Sequence, residues 1–167
     1  LVHRLDMDTS GLMVVAKTDT AHASLTNQLK ARKFDKGYTG LVMGILEPRE
    51  ALIDAPIGRD PSNRKRMALD DNGRDSQTAY SAVTIYENKT LADVQPGTGR
   101  THQIRVHFAS IGHPVVGDVT YGRTDPNLSR HFLHAHKLGF EHPATGDVVE
   151  FRSPLPAELQ AYLDGLE

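Results

Sequence analysis

Apolar positions recur along this chain with two different periods, and the switches between them outline its elements. Gly11 to Lys17 (GLMVVAK) is a short β-branched apolar run and predicts a buried strand. Ala21, Leu25 and Leu29 then repeat every four residues, predicting an amphipathic helix that Asp19 caps and that ends near Arg32-Lys33, where cations suit the carbonyl end. Lys36 to Met43 reads as a second strand and Ala51 to Asp54 as a third, followed by a turn-rich basic loop from Pro56 to Lys65. Asp71-Asn72-Gly73 predicts a tight hairpin turn with positive φ. Ser76 to Tyr86 alternates, with Ala79, Val83 and Ile85 on one parity and Thr78, Tyr80 and Thr84 on the other. After a turn at Asn88-Lys89 and a strand from Leu91 to Val94, Pro96-Gly97-Thr98-Gly99 breaks the chain. Thr101 is placed to cap a helix whose apolar stripe is Ile104, Phe108 and Ile111, closed by Gly112. His131 to Phe140 and Val148 to Phe151 flank a Pro-Ala-Thr-Gly turn as a hairpin, and a last helix from Ala157 to Leu166 carries Leu159, Tyr162, Leu163 and Leu166 on one face. Hairpins outnumber crossovers, so the expected fold is α+β: a mixed, mainly antiparallel sheet with helices packed on it.

Composition narrows the function classes. The 167 residues are 38% hydrophobic and 24% charged, as in one globular domain rather than a disordered tail. Nineteen Lys and Arg against 21 Asp and Glu give a net charge of −2, so a polyanion can be held only by local patches, not by bulk charge. Without cysteine there are no disulfides, thiolate metal sites or cysteine nucleophiles, and a reducing cytoplasm is the expected address. The longest apolar run near the start, Leu12 to Ala16, is far short of a membrane span, and no membrane partner is expected.

Two polar clusters carry candidate chemistry. His3-Arg4-Leu5-Asp6-Met7-Asp8-Thr9-Ser10-Gly11 sets two carboxylates two residues apart, with hydroxyls behind them. A calcium loop fails, because its twelfth position is Lys17 rather than a bidentate Glu. Paired carboxylates for sugar chemistry and a plain Asx turn both remain open. The second cluster, Gly99-Arg100-Thr101-His102-Gln103-Ile104-Arg105-Val106-His107, opens the helix behind a Gly-x-Gly hinge. Arg105 lies about 100° round from the apolar stripe, where its stem can stay packed while its head reaches a buried carboxylate. Nine histidines raise a metal site, with His134 and His136 on one strand face and His131 on the other. No third ligand follows by spacing, and no metal is expected.

Two basic patches suit phosphate contact: Lys30, Arg32, Lys33 and Lys36 around Asp35, and Arg59, Arg64, Lys65 and Arg66 around Asp60. Tyr38 offers a ring on which a base can stack, or equally a rim tyrosine.

His3-Arg4-Leu5-Asp6-x-x-Thr9-Ser10-Gly11-Leu12 resembles the signature of the ribosomal large-subunit (and tRNA) pseudouridine synthases. Similar blocks follow in order: Lys36-x-Tyr38, Pro56-Ile57-Gly58-Arg59-Asp60, Thr78-x-Tyr80, Thr98 through His107, Gly112-His113-Pro114, Gly117-Asp118, Leu133-His134-Ala135 and His142-Pro143-x-Thr145-Gly146. The resemblance implies the synthase catalytic-domain fold over 1–167. It implies isomerisation of specific uridines to pseudouridine, in 23S rRNA first and tRNA as the alternative, by a monomer without cofactor. Asp6 is then the nucleophile, Tyr38 the ring on the target base and a candidate for proton removal, and Arg105 the partner of the aspartate. Arg4 contacts RNA beside the flipped nucleotide and Ile104 forms the opposite aliphatic wall, while Arg59, Arg100, His102 and Gln103 are carried as RNA- or substrate-binding positions. The family also places upstream a segment with Lys-Pro-x-Gly, and often an S4-type domain. This chain opens at Leu1 directly on the first block, so an N-terminally incomplete catalytic domain is expected. The other classes in play are a non-catalytic RNA-binding module and a hydrolase using Asp6 with Asp8.

Overall fold

Leu41 and Val42 are neighbours on strand β2 (Asp35–Met43), and both are wholly buried. Successive strand side chains point to opposite faces, so a sheet must be covered on both sides at this point. In the computed structural model, which describes residues 1–166, Val42 packs with Tyr80, Val94, Ile104 and Phe108 beneath helix α2 (Gln103–Ser110), and Leu41 with Val116, Phe132, Leu159 and Leu163 beneath helix α3 (Ala157–Asp164). A third cluster joins Leu25 of helix α1 (Asp19–Lys30) to Phe34, Leu138 and Phe140.

The central strands are β2, β6 (Gln77–Ile85), β7 (Lys89–Pro96) and β8 (Leu133–Glu141), in the order β8-β2-β7-β6, with β3 (Glu50–Asp54) at the edge beside β6. These pairings are all antiparallel. Along the other edge of β8 lie two strands in series: β1 (Ser10–Gly11), parallel, against His134 and Ala135, and β9 (Val148–Arg152), antiparallel, from Lys137 onward. The two remaining strands, β4 (Ile57–Arg59) and β5 (Met67–Leu69), form a separate hairpin against α2. The α+β architecture expected from the sequence is the one found.

Several elements depart from expectation. Of the first run only Gly11 pairs as a strand, together with Ser10 before it, because β9 takes the next positions on the β8 edge. Leu12, Val14 and Ala16 still pack against the α1 cluster, leaving Met13 and Val15 exposed. Helix α1 is capped by Thr18, whose hydroxyl accepts from the Ala21 N–H at 3.2 Å, and Asp19 is its first residue. Helix α2 begins at Gln103 behind His102, a left-handed residue at φ 56, so Thr101 is not its cap, and Ile111 is exposed rather than part of a stripe. Gly112 does close it, at φ +83. The basic loop at 56–65 contains β4, whose partner β5 follows it.

At 71–73 no positive φ is needed. Asp70 Oδ1 accepts the Asn72 N–H and its carbonyl the Gly73 N–H, and a Cβ on Gly73 would meet the Ile57 carbonyl carbon at 2.5 Å. On β6 the buried parity is that of Thr78 and Tyr80, and a bulge between Ala82 and Thr84 shifts the register beyond it.

Candidate active site

The turn bearing Asp6 is tied to the sheet immediately behind it. Its Asp6 carbonyl accepts the Thr9 N–H at 3.1 Å. Gly11 follows at φ +113, where a Cβ would fall 2.2 Å from the Ala135 carbonyl oxygen, so only glycine lets the chain pass β8 this closely. Asp6 is half-buried, whereas Asp8 is exposed and lies off the cleft. A mechanism that pairs the two carboxylates therefore loses its second partner.

Arg105 comes to Asp6 from α2. Gln103 through Phe108 are all buried, so this helix is enclosed on every side rather than amphipathic. Its polar side chains survive burial because each is bonded. His107 meets Thr78 Oγ1 at 2.8 Å and the Ala55 carbonyl at 2.9 Å. Arg105 donates through Nε and Nη2 to the two carboxylate oxygens of Asp118, at 2.7 and 2.9 Å. Its remaining nitrogen, Nη1, reaches Asp6 Oδ2 at 3.4 Å. Arg105 thus has a principal partner in Asp118, and Asp6 takes the outward donor.

Burial alone would push the Asp118 carboxyl up. The Arg105 guanidinium and the N–H groups of Thr120 and Tyr121 hold it below the usual carboxylate range. Tyr121 completes the group: its ring lies 5.1 Å from the Arg105 guanidinium and 5.2 Å from that of Arg66. Its hydroxyl accepts the Met67 N–H and meets His102 Nδ1, both at 2.8 Å.

In front of Asp6 opens a cleft of about 550 Å³, within the range of small-molecule sites. Tyr38, Ile104 and Leu133 supply apolar walls. A bulge in the β2–β8 register between Gly37 and Tyr38 sets the tyrosine here. Burial, with the charge of Asp6, pushes the Tyr38 phenol up to about 12, so the phenol is protonated at neutral pH. Arg4, Lys30, Arg32, Lys36 and Arg100 also line the cleft, five cations against the single carboxylate of Asp6. Burial, then the charge of Arg100, lowers the Lys36 ammonium pKa. A chain of net charge −2 thereby presents a basic opening around one acid.

Of the residues singled out from sequence, Asp6, Tyr38, Arg4, Arg100, Gln103 and Ile104 line this cleft, and Arg105 stands behind Asp6. Three of the binding positions have their side chains engaged within the protein. Gln103 has its amide committed: Oε1 accepts from Thr98 Oγ1 and the Arg100 N–H, and Nε2 donates to the Gln77 carbonyl and Thr78 Oγ1. It braces the β7–α2 loop. His102 turns to Tyr121 and away from the cleft. Arg59 lies on the β4–β5 hairpin, donating to the Arg64 carbonyl.

The histidines raised as metal ligands have other partners. His131 meets Thr9 Oγ1, His134 meets Ser10 Oγ, and His136 meets Asp93. Sequence reasoning gave no role to Asp118 or Tyr121. The only signal for the former was the Gly117-Asp118 block.

Comparison with known proteins points one way. A family model described as RNA pseudouridylate synthase matches residues 1–110. An uncharacterized RNA pseudouridine synthase of Chloroflexus aurantiacus is 50% identical over 169 residues, covering 100% of this chain and 53% of that protein. The ribosomal large subunit pseudouridine synthase D of Nitrosomonas europaea is 45% identical, over 99% of this chain and 51% of its own. The chain therefore spans about half the length of the curated relatives it matches. Among solved structures, human RNA pseudouridylate synthase domain containing 1 superposes with a TM-score of 0.82 at 32% identity, over 93% of this chain and 68% of that one. With the family match running through both the Asp6 turn and the Arg105 helix, this chain belongs to the RNA pseudouridylate synthase family.

Proposed function

We propose that this protein isomerises a uridine in RNA to pseudouridine, with Asp6 as the nucleophile. The reaction breaks the bond from C1′ to N1 and forms one from C1′ to C5. C5 loses a proton and N1 gains one, so no oxidant and no phosphate energy is consumed. The observation that carries the reading is the Asp6 carboxylate, directed by Arg105 at 3.4 Å into a cleft ringed by cations. A uridine must leave its stack to enter, at a cost of a few kcal/mol. Cations gripping the backbone offset that cost, and the Tyr38 ring, with Ile104 also lining the cleft, holds the extruded base. Tyr38, held protonated, serves as platform rather than phenolate base. Arg4 and Arg100 at the opening meet the backbone beside the flipped nucleotide, and Arg59 meets phosphates farther along the RNA.

Large-subunit ribosomal RNA is the substrate class, supported by the name of the Nitrosomonas relative. The test is release of tritium from 5-tritiated uridine in a large-subunit rRNA transcript, with pseudouridine mapped in the product. Wild-type protein is expected to release tritium. Asp6→Asn is expected to bind the transcript and release none. An Asp6→Asn protein that still isomerises uridine refutes the nucleophile.

A further inference from the structure

The turn carrying Asp6 is gripped from behind by the short segment 130–134, of which Leu133 alone lines the cleft. At the apex of the turn Asp8 has φ +70, a left-handed conformation that residues with a side chain rarely adopt, so the turn needs external support. Arg130 supplies it from both ends of its guanidinium. Nη1 donates to the Asp8 carbonyl at 2.9 Å and the Leu133 carbonyl at 3.3 Å, and Nη2 to Ser10 Oγ at 2.9 Å. Nη2 and Nε also hold Glu158 Oε1 of α3, at 2.9 and 3.3 Å. Beside these, Thr9 Oγ1 shares a hydrogen bond of 2.7 Å with His131 and Ser10 Oγ one of 2.8 Å with His134. Three consecutive residues after Asp6 are therefore each held by this one segment. Arg130 and Glu158 do not line the cleft, and the Arg130 side chain is only 13% exposed.

We propose that Arg130, anchored by Glu158 on α3, is a positioning residue: it clamps the Asp8–Ser10 turn and so fixes where the Asp6 carboxylate stands against Arg105. The inference rests on the reading of Asp6 as the reacting carboxylate. Arginine is required chemically. Two carbonyls, a hydroxyl and a carboxylate lie on different sides of one head group, and a planar five-donor fork spans them where a lysine ammonium cannot. Displacement of a reacting group by about 1 Å can cost a hundredfold in rate, so a loosened turn reports in turnover rather than in RNA binding.

Hydrogen exchange over residues 6–11 in RNA-free protein reads the clamp itself, and kcat and KM on the rRNA transcript read its consequence. Arg130→Met and Arg130→Lys are expected to speed exchange at the Thr9 amide by about tenfold or more and to lower kcat by about 10- to 100-fold, with KM unchanged. Guanidinium ion below denaturing concentrations restores part of the turnover of Arg130→Ala, and methylammonium does not. A clamp that merely tethered α3 would lower the melting temperature without that rescue. Unchanged exchange and kcat in Arg130→Met overturn the proposal while leaving Asp6 untouched. Should the Arg130 variants not fold, Glu158→Gln carries the test through the same two readouts. A wild-type protein that makes no pseudouridine fails the functional reading, and the exchange result then decides the clamp alone.

Discussion

The Arg105–Asp118 pair is the feature most open to quantitative attack. Asp118 is wholly buried and the Arg105 side chain is 6% exposed, with two charge-assisted bonds of 2.7 and 2.9 Å between them. Removing one member of such a pair leaves the other desolvated, at a cost of about 3–5 kcal/mol. That is a large part of the roughly 5–15 kcal/mol that stabilises a domain. Arg105→Met belongs at the upper end, because the Asp118 carboxylate keeps only the Thr120 and Tyr121 amides. Asp118→Asn belongs at the lower end: Asn keeps an acceptor for those amides, and Arg105 retains Asp6 at 3.4 Å. In the double variant both charges are gone, so its loss is expected to fall short of the summed single losses by about 2 kcal/mol. Urea unfolding followed by far-ultraviolet circular dichroism measures all three, since there is no tryptophan to report. Tritium release is expected to be lost in Arg105→Met and in the double variant alike, because both deprive Asp6 of its cation. Costs that add to within about 0.5 kcal/mol refute the pairing.

Three further outcomes are expected. Burial, then the charge of Arg105, lowers the His131 pKa to about 4, from 6.5. The unfolded chain therefore binds the extra proton first, and stability falls by about 3 kcal/mol as pH drops from about 6.5 to about 4. His131→Asn flattens that part of the urea-midpoint profile, and an unchanged slope counts against the assignment. Asp118 has the same sign but is depressed below the carboxylate range, so its loss comes at lower pH. Tyr38→Ala removes base stacking of about 1–3 kcal/mol and raises KM for RNA, whereas Tyr38→Phe keeps it. Equal KM values for the two remove the platform role. Thr18→Ala, which deletes the α1 cap, lowers stability by about 1 kcal/mol in thermal melts and leaves tritium release unchanged.

What could be read from the sequence, and what could not, divides by the range of the interactions. Elements whose signal lies in their own residues were legible: α1 from Leu25 and Leu29, β2 as a strand from Lys36 to Met43, and α3 from Leu159 and Leu163. Errors arose where neighbours decide. Leu12–Ala16 has the composition of a strand, but β9 already occupies the edge of β8 that it would have extended along. Thr18 and Asp19 are both good caps, and only the backbone conformation at 18 chooses between them. Helix α2 looked one-sided because its covering hairpin, β4–β5, is two three-residue strands in a Pro-rich basic stretch.

The same division runs through the site. Asp6 and Arg105 are 99 residues apart, and no local pattern joins them; the family resemblance alone placed them together. Asp118 was invisible as a partner because a single acid after a glycine has no period, and its meaning comes from a guanidinium thirteen residues away. The histidines show the point most sharply. As a count of nine they suggest metal, yet in the fold His131 and His134 hold the hydroxyls of Thr9 and Ser10. Sequence thus locates the proposed nucleophile, while the side chains that hold the turn behind it are recognisable only after the chain has brought residues 6–10 and 130–134 side by side.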